Sequence, residues 1–448
     1  MGKPKNIILI VADSLRFDSV YGSGNIGMPY AQKHAKQFTA ARSAGCWTLP
    51  ATASLFTGKM PHEHGATSQS RKADDSLPTL AEKLKAQGYY TAQVTANVVT
   101  TEIFGLDRGF DAVHKIWQTI TPHFKKAMRL LVLLGKPRVR NMLTSKDKIM
   151  NQLSEDLEVG NCWMQNTFED TFDKAKDILQ QNKDGKNFLF LNLMESHFPY
   201  HIGPNFKLSA EGWYQKLKEM AGLYHMLNQS FLTKDKEFIH HKTLSVLKAR
   251  QQESWKILQQ KLDEFIQELH QDKDTLVVFC ADHGDNFGDQ HWVYHFSNVT
   301  DAGNRVPLLW LDHEDREGER MDKPVSSRFI HQSILDACGL PFEEGTLFKS
   351  PEHNFPILQS FWYNNHEKTL NKYRYNQLCF IDGDMRYAYR NKAWFSAPVG
   401  ELHQDEPLFQ SIGKSVDPLK ECALDSTQKK HLEETLHNFK EFSDNISF

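Results

Sequence analysis

The chain has 448 residues, 40% of them hydrophobic and 24% charged, with a formal net charge of −3, so it can bury a large core and shows no bias toward nucleic acid. No run reaches the roughly eighteen apolar residues that a membrane span needs. Six scattered cysteines (Cys46, Cys162, Cys280, Cys338, Cys379, Cys422) form no C-x-x-C pair for zinc or redox work, and read as reduced structural thiols of a cytoplasmic protein.

In chain order, "MGKPKNIILIVAD" has a basic start and an apolar run from Ile7 to Ala12 that ends in Asp13 without a small-residue cleavage site, which predicts a first strand rather than a signal peptide. Next comes "GCWTLPATASLFTGKMPHEHG", residues 45 to 65, where Thr48 and Pro50 predict a helix start with Thr48 as its cap. His62 and His64 follow a proline and read as structural. A helix is predicted over 77–88, closed by Gly88, and strands over 6–13, 89–96, 187–195, 275–282 and 306–311, with a helix over 249–271. Near-continuous apolar strands alternating with helices define an α/β fold with a doubly wound, mostly parallel sheet. Helical insertions are expected at about 112–186 and 200–250. They lie within a domain over 1–345, and a C-terminal α+β subdomain over 346–448 packs on it, with a hairpin at 378–395 around Asp382, Gly383 and Asp384 and a helix over 426–442.

The segment "FKKAMRLLVLLGKPRVR" at 124–140 has two readings: a cap helix with its leucines in the core, or a basic amphipathic helix whose Arg129, Arg138 and Arg140 bring the protein to a membrane surface.

Three strands end in ionisable residues: Asp13, then Glu195 and His197, then Asp282 and His283. Ligands of such a sheet gather at the carboxyl ends of its strands. A strand-end Asp by itself is more often a cap or turn residue. Two such ends together with an imidazole point to a divalent cation.

Several segments in fixed order resemble the alkaline phosphatase/sulfatase superfamily, in its sulfatase-like branch: "NIILIVADSLRFDSVYG", "TASLFTGKMPHEHGA", "TLAEKLKAQGYYTA", "GLDRGFD", "FLFLNLMESHFPY", "TLVVFCADHGDNFGD", "NRVPLLWL" and "VSSRFIHQSILDACGL". The resemblance implies that Asp13, Asp282 and His283 ligate metal and that His197 and His295 face the substrate's ester oxygens or leaving group. Sulfatases carry C-x-P-x-R before A-S-L-L-T-G, the cysteine becoming formylglycine. Aligned on "ASLFTG", this chain has Thr48 at the nucleophile, Pro50 at the proline and Thr52 at the arginine, with Cys46 two residues too early. A threonine there is what phosphoryl-transfer members of the superfamily use, among them phosphodiesterases and phosphoethanolamine or phosphoglycerol transferases. Ser14 replaces a second Asp, His283 replaces the usual asparagine, and "TANVVTTEIFG" replaces a Lys–His element, leaving Asn97 as its only stand-in.

The expectation is therefore a metal-dependent hydrolase or transferase of phosphate esters working through a phosphothreonine at Thr48, with small-molecule, lipid head-group or glycan esters as substrates. One metal is expected on Asp13, Thr48, Asp282 and His283, zinc or manganese before calcium or magnesium. Glu195, His197 and His295 are the candidates for a second metal, and Lys59 reads as a solvated charge. The alternatives are a sulfate-ester hydrolase without formylglycine and a non-catalytic metal-binding member of the fold.

Overall fold

The computed structural model describes residues 2–22, 27–68, 70–116, 167–198, 200, 236–238, 241–289, 292–295, 299–313, 318–343, 345–349, 357–359, 377–390, 393–399, 412–414 and 420–430. The segment 124–140, most of the expected insertions, and the predicted C-terminal helix beyond its first turn at 426–430 lie outside these residues.

Strand β1, Asn6–Ala12, is buried at every position and lies at the middle of an eight-stranded sheet. Apolar side chains on both of its faces require cover on both sides, which is why its sequence does not alternate. The other strands of this sheet are β2 Lys36–Phe38, β3 Tyr89–Thr95, β4 Ala112–Lys115, β5 Lys186–Leu193, β6 Thr275–Ala281, β7 Leu308–Leu311 and β8 Arg320–Met321, in the order β8-β2-β7-β6-β1-β5-β3-β4. Strands β6, β1, β5, β3 and β4 run parallel, with Ala12 in register with both Leu193 and Ala281. That register brings the three carboxyl ends bearing Asp13, Glu195 and Asp282 side by side.

Strand β7 fits the predicted position but runs antiparallel to β6. Among the described residues the connection between them holds a two-stranded ribbon, Asn286–Phe287 with Val293–Tyr294, and a four-residue helix, Asp301–Asn304, and no helix that packs across the sheet as a parallel crossover would. The short strands β2, β4 and β8 had no sequence signal: two to four residues are too few to show a period.

The sheet is flanked by helices α1 Thr48–Thr57, α2 Leu80–Lys85, α3 Phe168–Gln181, α4 His241–Leu269 and α5 Phe329–Ala337. Helix α2 begins at a capping box: the Thr79 hydroxyl accepts from the Glu82 amide at 3.1 Å, and the Glu82 carboxylate accepts from the Thr79 amide at 2.7 Å. Helix α3 buries Phe168, Phe172, Ala175 and Ile178 on one stripe, and Phe172 stacks on Phe265 of α4 at 4.2 Å between ring centroids. Both β4 and α3 fall inside the stretch 112–186 read as insertion, so its two ends belong to the sheet and its cover.

The C-terminal unit is a five-stranded antiparallel sheet, β9 Ile357–Gln359, β10 Gln377–Asp382, β11 Met385–Arg390, β12 Ala393–Pro398 and β13 Lys420–Cys422, in chain order. Its predicted hairpin turns at Gly383, whose φ of 55° suits glycine. Leu378, Phe380, Tyr389 and Trp394 pack with Ala44 and Met60, which bracket α1. Among the described residues the five cysteines form no disulfide, and no helix is long and apolar enough to cross a membrane.

Candidate active site

Asp13 follows β1 directly, held by its amide to the Leu193 carbonyl at 2.9 Å, and its side chain is fully buried. Ser14 then adopts a left-handed backbone, φ 61°, which costs energy in a residue with a Cβ. Its hydrogen bonds sustain that conformation. The Ser14 amide donates to Asp282 Oδ1 and its hydroxyl to Asp13 Oδ1, both at 3.1 Å, so this residue ties the two carboxylates together. The serine that departs from the family's second aspartate thus has a definite task here.

At the end of β6, the Asp282 Oδ1 atom also accepts from the His283 amide at 2.9 Å. His283 Nδ1 lies 2.9 Å from the Gly284 carbonyl, which fixes the hydrogen on Nδ1 and leaves a lone pair on Nε2. That Nε2 points at Asp282 Oδ2, 3.4 Å away, and at Asp13 Oδ1, 3.8 Å away. Gly284 is needed because a Cβ there would stand 2.0 Å from the Ala302 carbonyl oxygen.

Two carboxylates and an imidazole lone pair facing one another in a buried site are repulsive unless a proton or a cation lies between them. Asp282 Oδ2 and His283 Nε2 are buried with no hydrogen-bond partner. Ligand atoms of Asp13, Asp282 and His283 lie within 4.8 Å of one another, and this is the single such cluster among the described residues. The donor set fits a divalent metal.

Thr48 is the first residue of α1 rather than its cap. Trp47 takes the cap position with an extended backbone, φ −155°, and makes no capping bond through its side chain. The Thr48 hydroxyl instead donates to Asp13 Oδ2 at 3.3 Å. Asn97 joins from the end of β3, its Nδ2 donating to the same Asp13 oxygen at 2.6 Å and lying 3.5 Å from the Thr48 hydroxyl. The predicted nucleophile, the predicted Lys–His replacement and the metal cluster therefore share one carboxylate.

His197 and His295 complete the wall. Their ring centroids are 5.4 Å apart, and the His295 ring is 4.5 Å from that of His283. Glu195, a candidate for a second metal, is committed elsewhere: its Oε1 accepts from the Thr167 and Phe168 amides at 2.6 and 3.0 Å, capping α3. Lys59 lies past the other end of α1 and pairs with Glu343 at 2.7 Å. His64 is structural, its Nε2 3.0 Å from the Ser54 hydroxyl and its Nδ1 accepting from the Ala66 amide at 3.0 Å.

Sequence reading missed Asp285, Tyr200 and Arg16. Asp285 is buried, 3.2 Å from His295 Nδ1, and accepts from the Tyr200 hydroxyl at 3.0 Å. Arg16 is 1% exposed and spans Asp18, Asp289 and the Asp285 carbonyl. The "DHGD" run held a usable signal for Asp285, a second carboxylate two residues past His283 on the site loop.

Burial works against ionisation throughout this site. It raises Asp282 well above the ordinary carboxylate range, with the neighbouring Asp13 charge adding to the effect. For Asp13 the burial cost is outweighed by His197, His283 and the Asn97 hydrogen bond, which hold it below its usual value. Burial, then the His283 and His197 charges, push His295 far down. The site thus holds a carboxylate, Asp13, whose charge is favoured, a second, Asp282, whose charge burial disfavours, and a His295 imidazole whose protonation burial disfavours.

A mostly parallel sheet whose strand ends gather two carboxylates, an imidazole and a helix-borne hydroxyl defines an alkaline-phosphatase-like α/β protein. The family model described as Sulfatase matches residues 5–340, and the chain belongs to this family, whose members generally use a divalent metal and whose homologues are hydrolytic enzymes. It is 23% identical over 376 residues to a choline-sulfatase of Rhizobium meliloti (strain 1021), covering 77% of this chain and 69% of that one. To the human arylsulfatase K it is 21% identical over 365 residues, covering 76% of this chain and 64% of the relative. Its fold is similar to that of the phosphonate monoester hydrolase of Agrobacterium radiobacter, with a TM-score of 0.59 at 18% identity over 88% of this chain and 89% of that one.

Proposed function

We propose that the protein is a metal-dependent hydrolase or transferase of phosphate esters in which Thr48 is the covalent nucleophile. The observation that carries this reading is the Thr48 hydroxyl at the start of α1, bonded to Asp13 of the carboxylate–imidazole cluster, at the position where sulfatases carry their modified cysteine. Asp13, Asp282 and His283, with the Thr48 hydroxyl as a further donor, would hold the cation, and the imidazole favours zinc or manganese over calcium. Bound there, it would supply Lewis-acid charge that makes the hydroxyl acidic and offsets the ester's anionic oxygens.

The protein's own groups do the rest. Asp13 Oδ2 orients the Thr48 oxygen by accepting its hydrogen, and Asn97 Nδ2 sits beside the same oxygen as a neutral donor where charge develops. His197 and His295 are positioned to bond the ester oxygens or the leaving group. A hydroxyl nucleophile yields a phosphothreonine that water or a second alcohol then resolves.

A sulfate ester is the second reading, favoured by the curated relatives, one a choline-sulfatase and one an arylsulfatase. Against it stand Thr48 and Thr52, which replace both residues that formylglycine formation needs. Turnover of a p-nitrophenyl phosphodiester, phosphate monoester and sulfate ester, each with added zinc or manganese, separates the readings. A phosphate ester is expected to be the best substrate; a preference for the sulfate ester, or no turnover of any of the three, contradicts the proposal.

A further inference from the structure

We propose that Asp285 is a positioning residue for His295, holding its imidazole by Nδ1 in the tautomer whose lone pair is on Nε2; this rests on the ester-transfer reading above. Three observations support it. Asp285 is fully buried with its two oxygens divided between two partners: Oδ1 at 3.2 Å from His295 Nδ1, and Oδ2 accepting from the Tyr200 hydroxyl at 3.0 Å. A two-stranded ribbon, Asn286–Phe287 against Val293–Tyr294, pairs Asn286 with Tyr294, so Asp285 and His295 face each other at its open end. Tyr294 sits in the left-handed region, φ 66°, an unusual state for an aromatic residue, sustained by the Asn286 side chain, whose Nδ2 donates to its carbonyl at 2.8 Å.

Arg16 locks the loop from beneath, donating to the Asp285 carbonyl at 2.8 Å and to both Asp289 oxygens at 2.8 and 3.1 Å. The result is a rigid clamp on an imidazole whose ring lies 4.5 Å from that of His283.

A neutral imidazole carries one hydrogen, and a carboxylate at Nδ1 keeps it there. Nε2 is then a proton acceptor. When water or an alcohol resolves the phosphothreonine, its oxygen bonds to phosphorus as its proton passes to Nε2. The electron pair of the breaking P–O bond returns to Thr48 Oγ1, which regains a proton from the imidazolium, directly or through solvent.

Tyr200 gives the proposal a specific test. In Asp285→Asn, the Tyr200 hydroxyl draws the amide oxygen to itself and turns the amide NH2 toward His295 Nδ1, which forces the hydrogen onto Nε2. Adding Tyr200→Phe removes that preference and lets the amide oxygen face His295 again. Nitrogen NMR of the full chain, with His295 assigned by comparison with His295→Gln, reads the tautomer without turnover. The wild type is expected to hold the Nδ1–H form, D285N the Nε2–H form with kcat lowered about 10- to 100-fold at nearly constant KM, and D285N/Y200F to recover part of both. An Nε2–H tautomer in the wild type overturns the proposal whatever the variants do, as does an unchanged tautomer in folded D285N. Loss of the Thr48 reading alone would leave the NMR result standing, so the two failures are distinguishable.

Discussion

One oxygen of Asp13 receives hydrogen bonds from both Thr48 and Asn97, while its other oxygen faces His283 and accepts from Ser14. The carboxylate therefore links the proposed nucleophile to the proposed cation site, and its neighbours favour its charged form although it is fully buried. Because the proposed mechanism has this hydroxyl make the bond to phosphorus, Thr48→Ala is expected to lower kcat by more than about 10³-fold even at saturating metal, which compensates for the lost donor. Thr48→Ser, which keeps the oxygen, should retain measurable turnover. Steady-state kinetics beside metal analysis tests this, and full activity in the alanine variant would exclude Thr48 as nucleophile. At this scale much was legible. Asp13, Asp282 and His283 end apolar strands, and strand order brings such ends together. Asp285 and Arg16 were not legible, because a loop carboxylate and a loop arginine take their meaning from partners up to 273 residues away in sequence.

Among the elements, α1 carries Thr48, the proposed nucleophile, and is held at its far end by buried polar contacts. His331 of α5 donates from Nδ1 to the Phe56 carbonyl at 2.9 Å, and its Nε2 lies 3.1 Å from Lys83 Nζ. His64 bonds Ser54 of α1. Both imidazoles have their two nitrogens already committed, one as donor and one as acceptor, so neither accepts a second proton without breaking a contact. Burial first, then neighbouring positive charge, lowers each to about 3. The unfolded chain binds these protons near 6.5, so unfolding takes up protons at lower pH. Their contribution to stability is complete above that value and is lost progressively toward 3. Urea midpoints measured from pH 7.5 to 4.5 should fall with acid, and fall less steeply in His331→Gln; equal slopes would contradict the account.

Element types and positions were readable where apolar runs are long, as in β1, β5 and β6. The antiparallel sense of β7 was not, because direction depends on the connection and not on the strand's own residues. Nor was the cap of α1: Thr48 has the residue type of a cap, but its hydroxyl is drawn to Asp13 and the position passes to Trp47.

For the whole molecule, the C-terminal sheet bears on the site through a buried charge triad. Asp301, the first residue of the short helix after the ribbon, pairs with Arg42 at 3.3 Å, just before the segment of Thr48, and with Arg386 of β11 at 3.1 Å. All three are nearly solvent-free, and burial lowers Arg42 to about 10 despite its partner. Asp301→Asn leaves two buried guanidiniums without their counter-charge, and is expected to cost about 3–5 kcal/mol. Chemical denaturation checks this; a change below about 1 kcal/mol would show that the triad is not the buried link described. The sequence marked the C-terminal unit by its hairpin, but not this joint, since Arg42 and Arg386 stand 259 and 85 positions from Asp301.

The central claim is a covalent bond between Thr48 and phosphorus. Rapid acid quenching during turnover of the best phosphate ester, followed by peptide mass spectrometry, is its most direct test. The account predicts a phosphoryl group on Thr48, absent in Thr48→Ala. A sulfuryl group, an adduct on another residue, or turnover with Thr48 unmodified at every quench time would contradict it.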